Sequence, residues 1–236
     1  MNKQFLIILF SFFSITTQSW TNNHFILISA PGSGKGTFSQ YCVNKYDYEQ
    51  ICPGDIFRNE ITLNTELGKQ IQPIVDNGEY VDEKIVCHLM EKYINNALKK
   101  NKLFILDGFP RSTFSFNFLC SLLKKYNIED KVCFIQFIAS DETCIERILN
   151  RIICTSCFMV YSQKNTEITI CNNCKSDLSK RKADTYSIAK KRLEYFHETI
   201  ESIMNLAEQT YPTKKIISDC TINNIEEQYE NLFFTN

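Results

Sequence analysis

The segment Ser29-Ala30-Pro31-Gly32-Ser33-Gly34-Lys35-Gly36-Thr37 follows directly on the apolar run Phe25-Ile26-Leu27-Ile28. This order predicts a buried strand, a tight glycine loop and the start of a helix. Such a loop turns several main-chain N–H groups and one lysine toward a single point, which is what a polyphosphate needs. Gly32, Gly34 and Gly36 leave room for phosphate oxygens and tolerate unusual dihedrals. Ser33 lies among them, Lys35 can reach the outer phosphates, and Thr37 lies near the helix start. The general pattern is G-x4-G-K-[ST]. Here Ser29 stands at the first glycine position and Gly36 separates the lysine from the threonine. The chain is therefore expected to handle nucleoside triphosphates.

Strand and helix signals alternate through the rest of the chain. Strands are expected over 24–30, 103–106, 132–139 and 214–218, and helices over 35–45, 66–77, 82–99, 141–151, 185–209 and 225–234. Continuous apolar strands separated by helices imply an α/β fold with a parallel sheet covered on both faces. Ligands bind such sheets at the carboxyl ends of the strands. The glycine loop, Asp107 and Asp219 all fall at such ends. The 236 residues carry a formal net charge of −1, so no overall field draws the protein to nucleic acid or an anionic membrane. Basic residues are expected to act locally, inside a cleft.

The run Asp107-Gly108-Phe109-Pro110-Arg111 follows a strand directly. A strand-end carboxylate suits Mg²⁺ through bound water, and Arg111 offers a planar fork for a second phosphate. Arg147 and Arg151 lie four apart and are expected on one face of one helix, facing the cleft. The three histidines, His24, His88 and His197, are too scattered to suggest a catalytic group.

Eleven cysteines are present, an odd number with no regular framework. Seven read as small buried hydrophobes. The other four form Cys154-x2-Cys157 and Cys171-x2-Cys174, with thirteen residues between Cys157 and Cys171. Two such knuckles can hold Zn²⁺ tetrahedrally, and four thiolates leave no open position, so the metal would be structural. Two disulfides are the alternative, favoured if the protein is exported.

Taken together, the glycine loop, Cys52-Pro53-Gly54-Asp55-Ile56-Phe57-Arg58, Glu66-Leu67-Gly68-Lys69 and Asp107 to Arg111 resemble the adenylate kinase family. The resemblance covers essentially all of residues 24–235. It implies ATP + AMP ⇌ 2 ADP on a monomer with a core (20–51, 82–149 and 185–236), a helical monophosphate flap (52–81) and a zinc-ribbon-like lid (150–184). It implies that Arg58 and Arg111 grip the AMP phosphate. Pro53, Glu79, Tyr80, Val81, Gly108, Phe109, Pro110 and Ser115 would line the AMP pocket. It assigns Arg147 and Arg151 to the ATP base and phosphates, and Ile222 to the ATP adenine. Arg181 and Arg192 would close over the transferring phosphoryl.

This chain departs from the family at four points. Pro53 stands for a threonine, and Ser115 for a glutamine that reads the AMP base. Ala183-Asp184 stands for a pair of aspartates, and Cys220 for a glycine. These departures leave two rivals: a kinase for another monophosphate such as UMP or CMP, and a weakly active nucleotide-binding protein.

Residues 1–19 have a short basic start, an apolar centre and small residues before position 20, which reads as a secretory leader. An uncleaved anchor or extra upstream sequence is the alternative. With the leader removed, no stable membrane association is expected. The family resemblance implies the cytoplasm, and a working leader implies export.

Overall fold

The structure, a computed structural model, describes residues 23–165, 168–220 and 222–234. The expected leader lies outside them. Among the described residues the chain runs β1 (His24–Leu27), α1 (Lys35–Tyr46), β2 (Glu49–Ile51), α2 (Pro53–Thr62), α3 (Glu66–Asp76), α4 (Glu83–Lys99), β3 (Phe104–Asp107), α5 (Thr113–Lys125) and β4 (Val132–Ile138). It continues as α6 (Asp141–Leu149), β5 (Arg151–Cys154), β6 (Val160–Ser162), β7 (Leu178–Ser179), α7 (Tyr186–Tyr195), α8 (Glu201–Thr210), β8 (Thr213–Ile217) and α9 (Ile222–Phe234).

The main sheet is parallel, in the order β2-β3-β1-β4-β8. Successive side chains along a strand point to opposite faces, and here both faces are covered. Phe25, Leu27, Ile105, Cys133, Ile135 and Phe137 pack with Phe38 of α1 and with Tyr229 and Phe233 of α9. Ile26, Phe104, Leu106, Val132 and Phe134 pack with Met90 of α4, Leu119 of α5 and Ile203 of α8. That two-sided burial is why the strands read as unbroken apolar runs. Leu27 lies opposite Asp107 in the register, so the glycine loop and the strand-end aspartate emerge side by side.

His24 has a structural role. Its Nδ1 accepts a hydrogen bond from the Phe104 amide at 3.1 Å and its ring stacks on Phe104. Burial, helped by Lys131, lowers its pKa to about 4, so the acceptor nitrogen stays bare.

Some elements differ from expectation. β1 ends at Leu27, and the next residues enter the loop. The expected helix over 185–209 is divided by one turn of π-helix at Phe196–Ile200. Among the elements missing from the sequence reading are β2 and α5, along with α2 and the three strands β5, β6 and β7. β2 is three residues long and carries the polar Glu49 and Gln50 at the sheet edge. α5 begins in Thr113-Phe114-Ser115-Phe116, whose alternation hides a helix. There Ser112 and Ser115 form a reciprocal capping box that starts α5. Helix α6 stops at Leu149, with Asn150 as its cap, so Arg151 opens β5 instead of sharing a helix with Arg147.

Two insertions stand over the carboxyl edge of the sheet. In the first, α2 and α3 lie so close that a Cβ on Gly68 would sit 2.1 Å from the Glu60 carbonyl oxygen. In the second, β5 pairs antiparallel with both β6 and β7. No helix among the described residues is long and apolar enough to cross a membrane.

The Gly68 contact predicts that Gly68→Ala forces α2 and α3 apart and destabilises the protein by about 1–3 kcal/mol. Thermal unfolding followed by circular dichroism checks this. The exposed neighbour serves as control, with Lys69→Ala expected to stay within about 0.5 kcal/mol of the parent.

Candidate active site

A cavity of about 740 Å³ opens where the glycine loop leaves β1, beneath the two insertions. Gly32, Gly34, Lys35, Gly36 and Thr37 line one side. Pro53 and Arg58 from α2, and Glu79, Tyr80 and Val81 before α4, line the other. Asp107, Gly108, Phe109, Pro110, Arg111 and Ser115 form part of the wall, and Arg147, Arg151, Arg181 and Arg192 complete the ring. Among the described side chains, one expected residue is not part of this wall. Ser33 is fully buried, and its Oγ has no hydrogen-bond partner among the described residues. Ile222 opens α9, but its side chain lies outside what the structure describes.

The loop shape follows from its glycines. Gly32 has φ +83, and a Cβ there would lie 2.4 Å from the Cys144 carbonyl oxygen. Gly34, at φ 105, caps α1, whose first-turn amides therefore face the cleft without an acidic side chain beside them. Lys35 Nζ donates to the carbonyls of Ser29 at 2.8 Å and Ala30 at 2.7 Å, which aims the ammonium back over the loop. Burial lowers its pKa to about 8, against the opposing pull of Asp107. Burial likewise raises the Asp107 carboxyl above the usual range, with Lys35 holding it down. Gln50 Nε2 donates to Asp107 Oδ2 at 3.2 Å. A Cβ on Gly36 would lie 3.8 Å from that oxygen, so the carboxylate faces the loop directly.

The arginines are held by different means. Arg151 makes a two-pronged contact with Asp184, Nε to Oδ2 at 2.8 Å and Nη2 to Oδ1 at 2.5 Å. Arg147 donates to the Ser218 carbonyl at 2.6 Å, and Arg192 to the Gly78 carbonyl at 3.0 Å. Arg111 donates to the Gly108 carbonyl at 2.7 Å, with its guanidinium over the Tyr80 ring. Arg58 pairs with Asp55. Burial, with Arg151 and Arg58 nearby, lowers the Arg181 pKa to about 9. Burial and then Arg111 lower that of Arg192 as well. Buried Nε atoms of Arg58 and Arg181 lack partners among the described residues. Crowded, desolvated guanidinium groups with unpaired donors are built to receive an anion.

Ser115 does not face the cavity with a free hydroxyl. Its Oγ accepts from the amides of Arg111 at 3.0 Å and Ser112 at 2.9 Å, and it donates to the Ser112 carbonyl. It shapes the turn that carries Arg111.

The four cysteines of the second insertion come together, every Sγ within 4.8 Å of the others. Cys154 and Cys174 Sγ are 3.3 Å apart, and Cys157 and Cys171 Sγ 3.5 Å. A disulfide needs about 2.05 Å, whereas Zn–S bonds of about 2.3 Å put tetrahedral sulfurs just under 4 Å apart. Hydrogen bonding with Ser176 lowers the Cys174 pKa to about 6, whereas burial raises that of Cys157 to about 12. The cluster suits a structural metal, and its residues could hold Zn²⁺.

The sequence reading misses several supports. Asp55 precedes Arg58 by three residues, a helical ion-pair spacing that could have flagged it. Gln50, Gly78 and Ser218 carry no local signal, because they act through positions distant in sequence.

Comparison with protein-family models matches residues 27–211 to the family described as Adenylate kinase. Among curated relatives, the adenylate kinase of Borrelia garinii subsp. bavariensis is 35% identical over 209 residues, covering 87% of this chain and 91% of the relative. That of Borreliella burgdorferi is 36% identical over 205 residues, 85% of this chain and 89% of the relative. That of Mycoplasmopsis pulmonis is 37% identical over 182 residues, 76% and 83% respectively. With the glycine loop, the strand-end aspartate and the ring of arginines in one cleft, these matches establish that the chain belongs to the adenylate kinase family.

Proposed function

We propose that the protein catalyses reversible phosphoryl transfer, ATP + AMP ⇌ 2 ADP, in the cleft described above. The observation that carries the reading is the convergence of Lys35, Asp107 and six arginines on one cavity large enough for two nucleotides end to end. Phosphoryl transfer passes through a loose, charge-dispersed transition state, so it needs positioning and fixed positive charge more than covalent help.

On this reading the loop amides and Lys35 hold the ATP phosphates, with Thr37 at the helix start. Mg²⁺ arrives with ATP and neutralises phosphate charge, and Asp107 beside the loop is the carboxylate suited to its water shell. Arg58 and Arg111 take the acceptor phosphate. Arg147 and Arg151 face the ATP side, and Arg181 and Arg192 the phosphoryl in transit. The helical insertion over 52–81 acts as the acceptor flap and the segment 150–184 as the lid over ATP. Closing them excludes water that would otherwise take the phosphoryl. Zn²⁺ in the four-cysteine cluster would cross-link the lid. The molecule works as a monomer on this reading.

Ser115 bears on the acceptor. Its hydroxyl is engaged in the turn before α5, so it does not read a base, and the pocket walls alone must select AMP. The test compares phosphoryl transfer to AMP, UMP, CMP and GMP under one set of conditions. AMP is expected to be the best acceptor, and a pyrimidine monophosphate in first place would replace the substrate assignment.

Lys35→Ala is expected to lower kcat by about 10²–10³-fold, the scale of losing one key donor to developing charge, as read by a coupled ADP-formation assay. ATP affinity should be flat up to pH 8 and fall above it. There Lys35 of the free protein is losing its proton, and the bound phosphates must draw one back. The limiting slope is about tenfold per pH unit. Titration calorimetry at pH 7, 8 and 9 checks this, and Lys35→Arg should flatten the profile. Purified protein should carry one zinc per chain by elemental analysis, and Cys174→Ser should lose it together with thermal stability.

A further inference from the structure

Phe158 directly follows the second cysteine of the first knuckle and has φ +59. That left-handed conformation suits glycine and disfavours any side chain, a bulky one most. The knuckle imposes it: the amides of Ser156 and Cys157 both bond Cys154 Sγ at 3.3 Å, and the chain must then reverse into β6. A phenylalanine here sits against local preference, so its ring needs a use elsewhere.

The ring packs over the guanidinium of Arg58 from the other insertion, with Cζ 5.7 Å from the ring centroid. On another side of that guanidinium is Gly54. A Cβ there would lie 3.3 Å from Arg58 Nη1 and 3.4 Å from Nη2. The Asp55 carboxylate holds Nη2, and the buried Nε has no partner among the described residues. The guanidinium is thus packed by a glycine backbone, an aromatic ring and one carboxylate, with its Nε left to donate. Such a clamp fixes the plane in which a phosphate oxygen can be met. It also joins the metal knuckle to the acceptor flap through one side chain. A further link between the two insertions, Lys182 to Asp76 at 2.7 Å, is largely solvent-exposed and screened.

We propose that Phe158 is a positioning residue for the reaction: a plate on the lid that orients Arg58 for the monophosphate, so that closing the lid also sets the acceptor grip. This rests on the reading of Arg58 as a ligand of the acceptor phosphate.

The test measures KM for AMP and for ATP, kcat, zinc content and thermal midpoint in Phe158→Gly, Phe158→Leu, Phe158→Tyr, Arg58→Ala and the Phe158→Gly/Arg58→Ala double variant. Phe158→Gly and Phe158→Leu should raise KM for AMP about five- to tenfold, the scale of a partly desolvated cation–π contact. KM for ATP should stay within about twofold, because uniform loss of binding to one substrate leaves the other untouched. Phe158→Gly should keep its zinc and melt at or above the parent temperature, since glycine relieves the left-handed backbone. Phe158→Tyr should keep the parent KM. In the double variant, Phe158→Gly should add nothing to the effect of Arg58→Ala.

An unchanged KM for AMP in both Phe158→Gly and Phe158→Leu, with Arg58→Ala impaired, overturns the role of Phe158 and leaves that of Arg58 standing. Equal rises for ATP and AMP, or additive effects in the double variant, overturn it too. An unimpaired Arg58→Ala removes the Arg58 reading and the proposal with it.

Discussion

The crowding of half-buried, partly desolvated cations is the constraint around which this molecule is organised. Lys35 and six arginines line one cleft, and few carboxylates oppose them. In a low-dielectric setting such charges repel strongly and lose hydration at once. The lowered pKa values of Lys35 and Arg181 are the visible cost. The fold holds most of them by ties to fixed acceptors: carbonyls of the loop for Lys35, Ser218 for Arg147, Gly78 for Arg192, Gly108 for Arg111, Asp184 for Arg151 and Asp55 for Arg58. Few of these ties neutralise the charge. They orient it and leave an electrostatic deficit that a polyphosphate fills.

The ties also explain the architecture around the cleft. The acceptors come from the carboxyl ends of β1, β3 and β8 and from the two insertions. The sheet supplies one edge of the cleft, and the insertions supply the walls above it. The ion pair of Arg151 with Asp184 sits where the second insertion rejoins the core, and Asp184 is almost wholly buried there. Removing one member of such a pair strands the other charge, which is worth about 3–5 kcal/mol. A single aspartate therefore anchors the root of that insertion, with the buried Ala183 beside it.

Much of this was readable from the chain, and the reason is locality. The glycine loop, Asp107 to Arg111 and the cysteine knuckles are each short runs whose chemistry depends on immediate neighbours. The continuous apolar strands announced a sheet buried on both faces. What was not readable depends on contacts far apart in sequence or on weak local signals. Gln50 reaches Asp107 from an edge strand too short to show a pattern. Arg147 and Arg151 have helical spacing, yet Asn150 ends the helix between them and the small antiparallel sheet claims Arg151. Helix α5 begins in a stretch that alternates like a strand, and a serine capping box decides the matter. Phe158 carries no local signal of its contact with Arg58, which is 100 positions away in sequence.

The Ser115 hydroxyl anchors the turn that carries Arg111, accepting from two amides and donating to one carbonyl. Installing an amide side chain at this position would therefore do two things at once. It would offer a longer polar group to the cavity, and its carbonyl would compete for the Ser112 amide that the Ser115 hydroxyl now takes. Cap and cavity would then draw on one side chain, so any gain in discrimination at this position comes at the expense of the helix start.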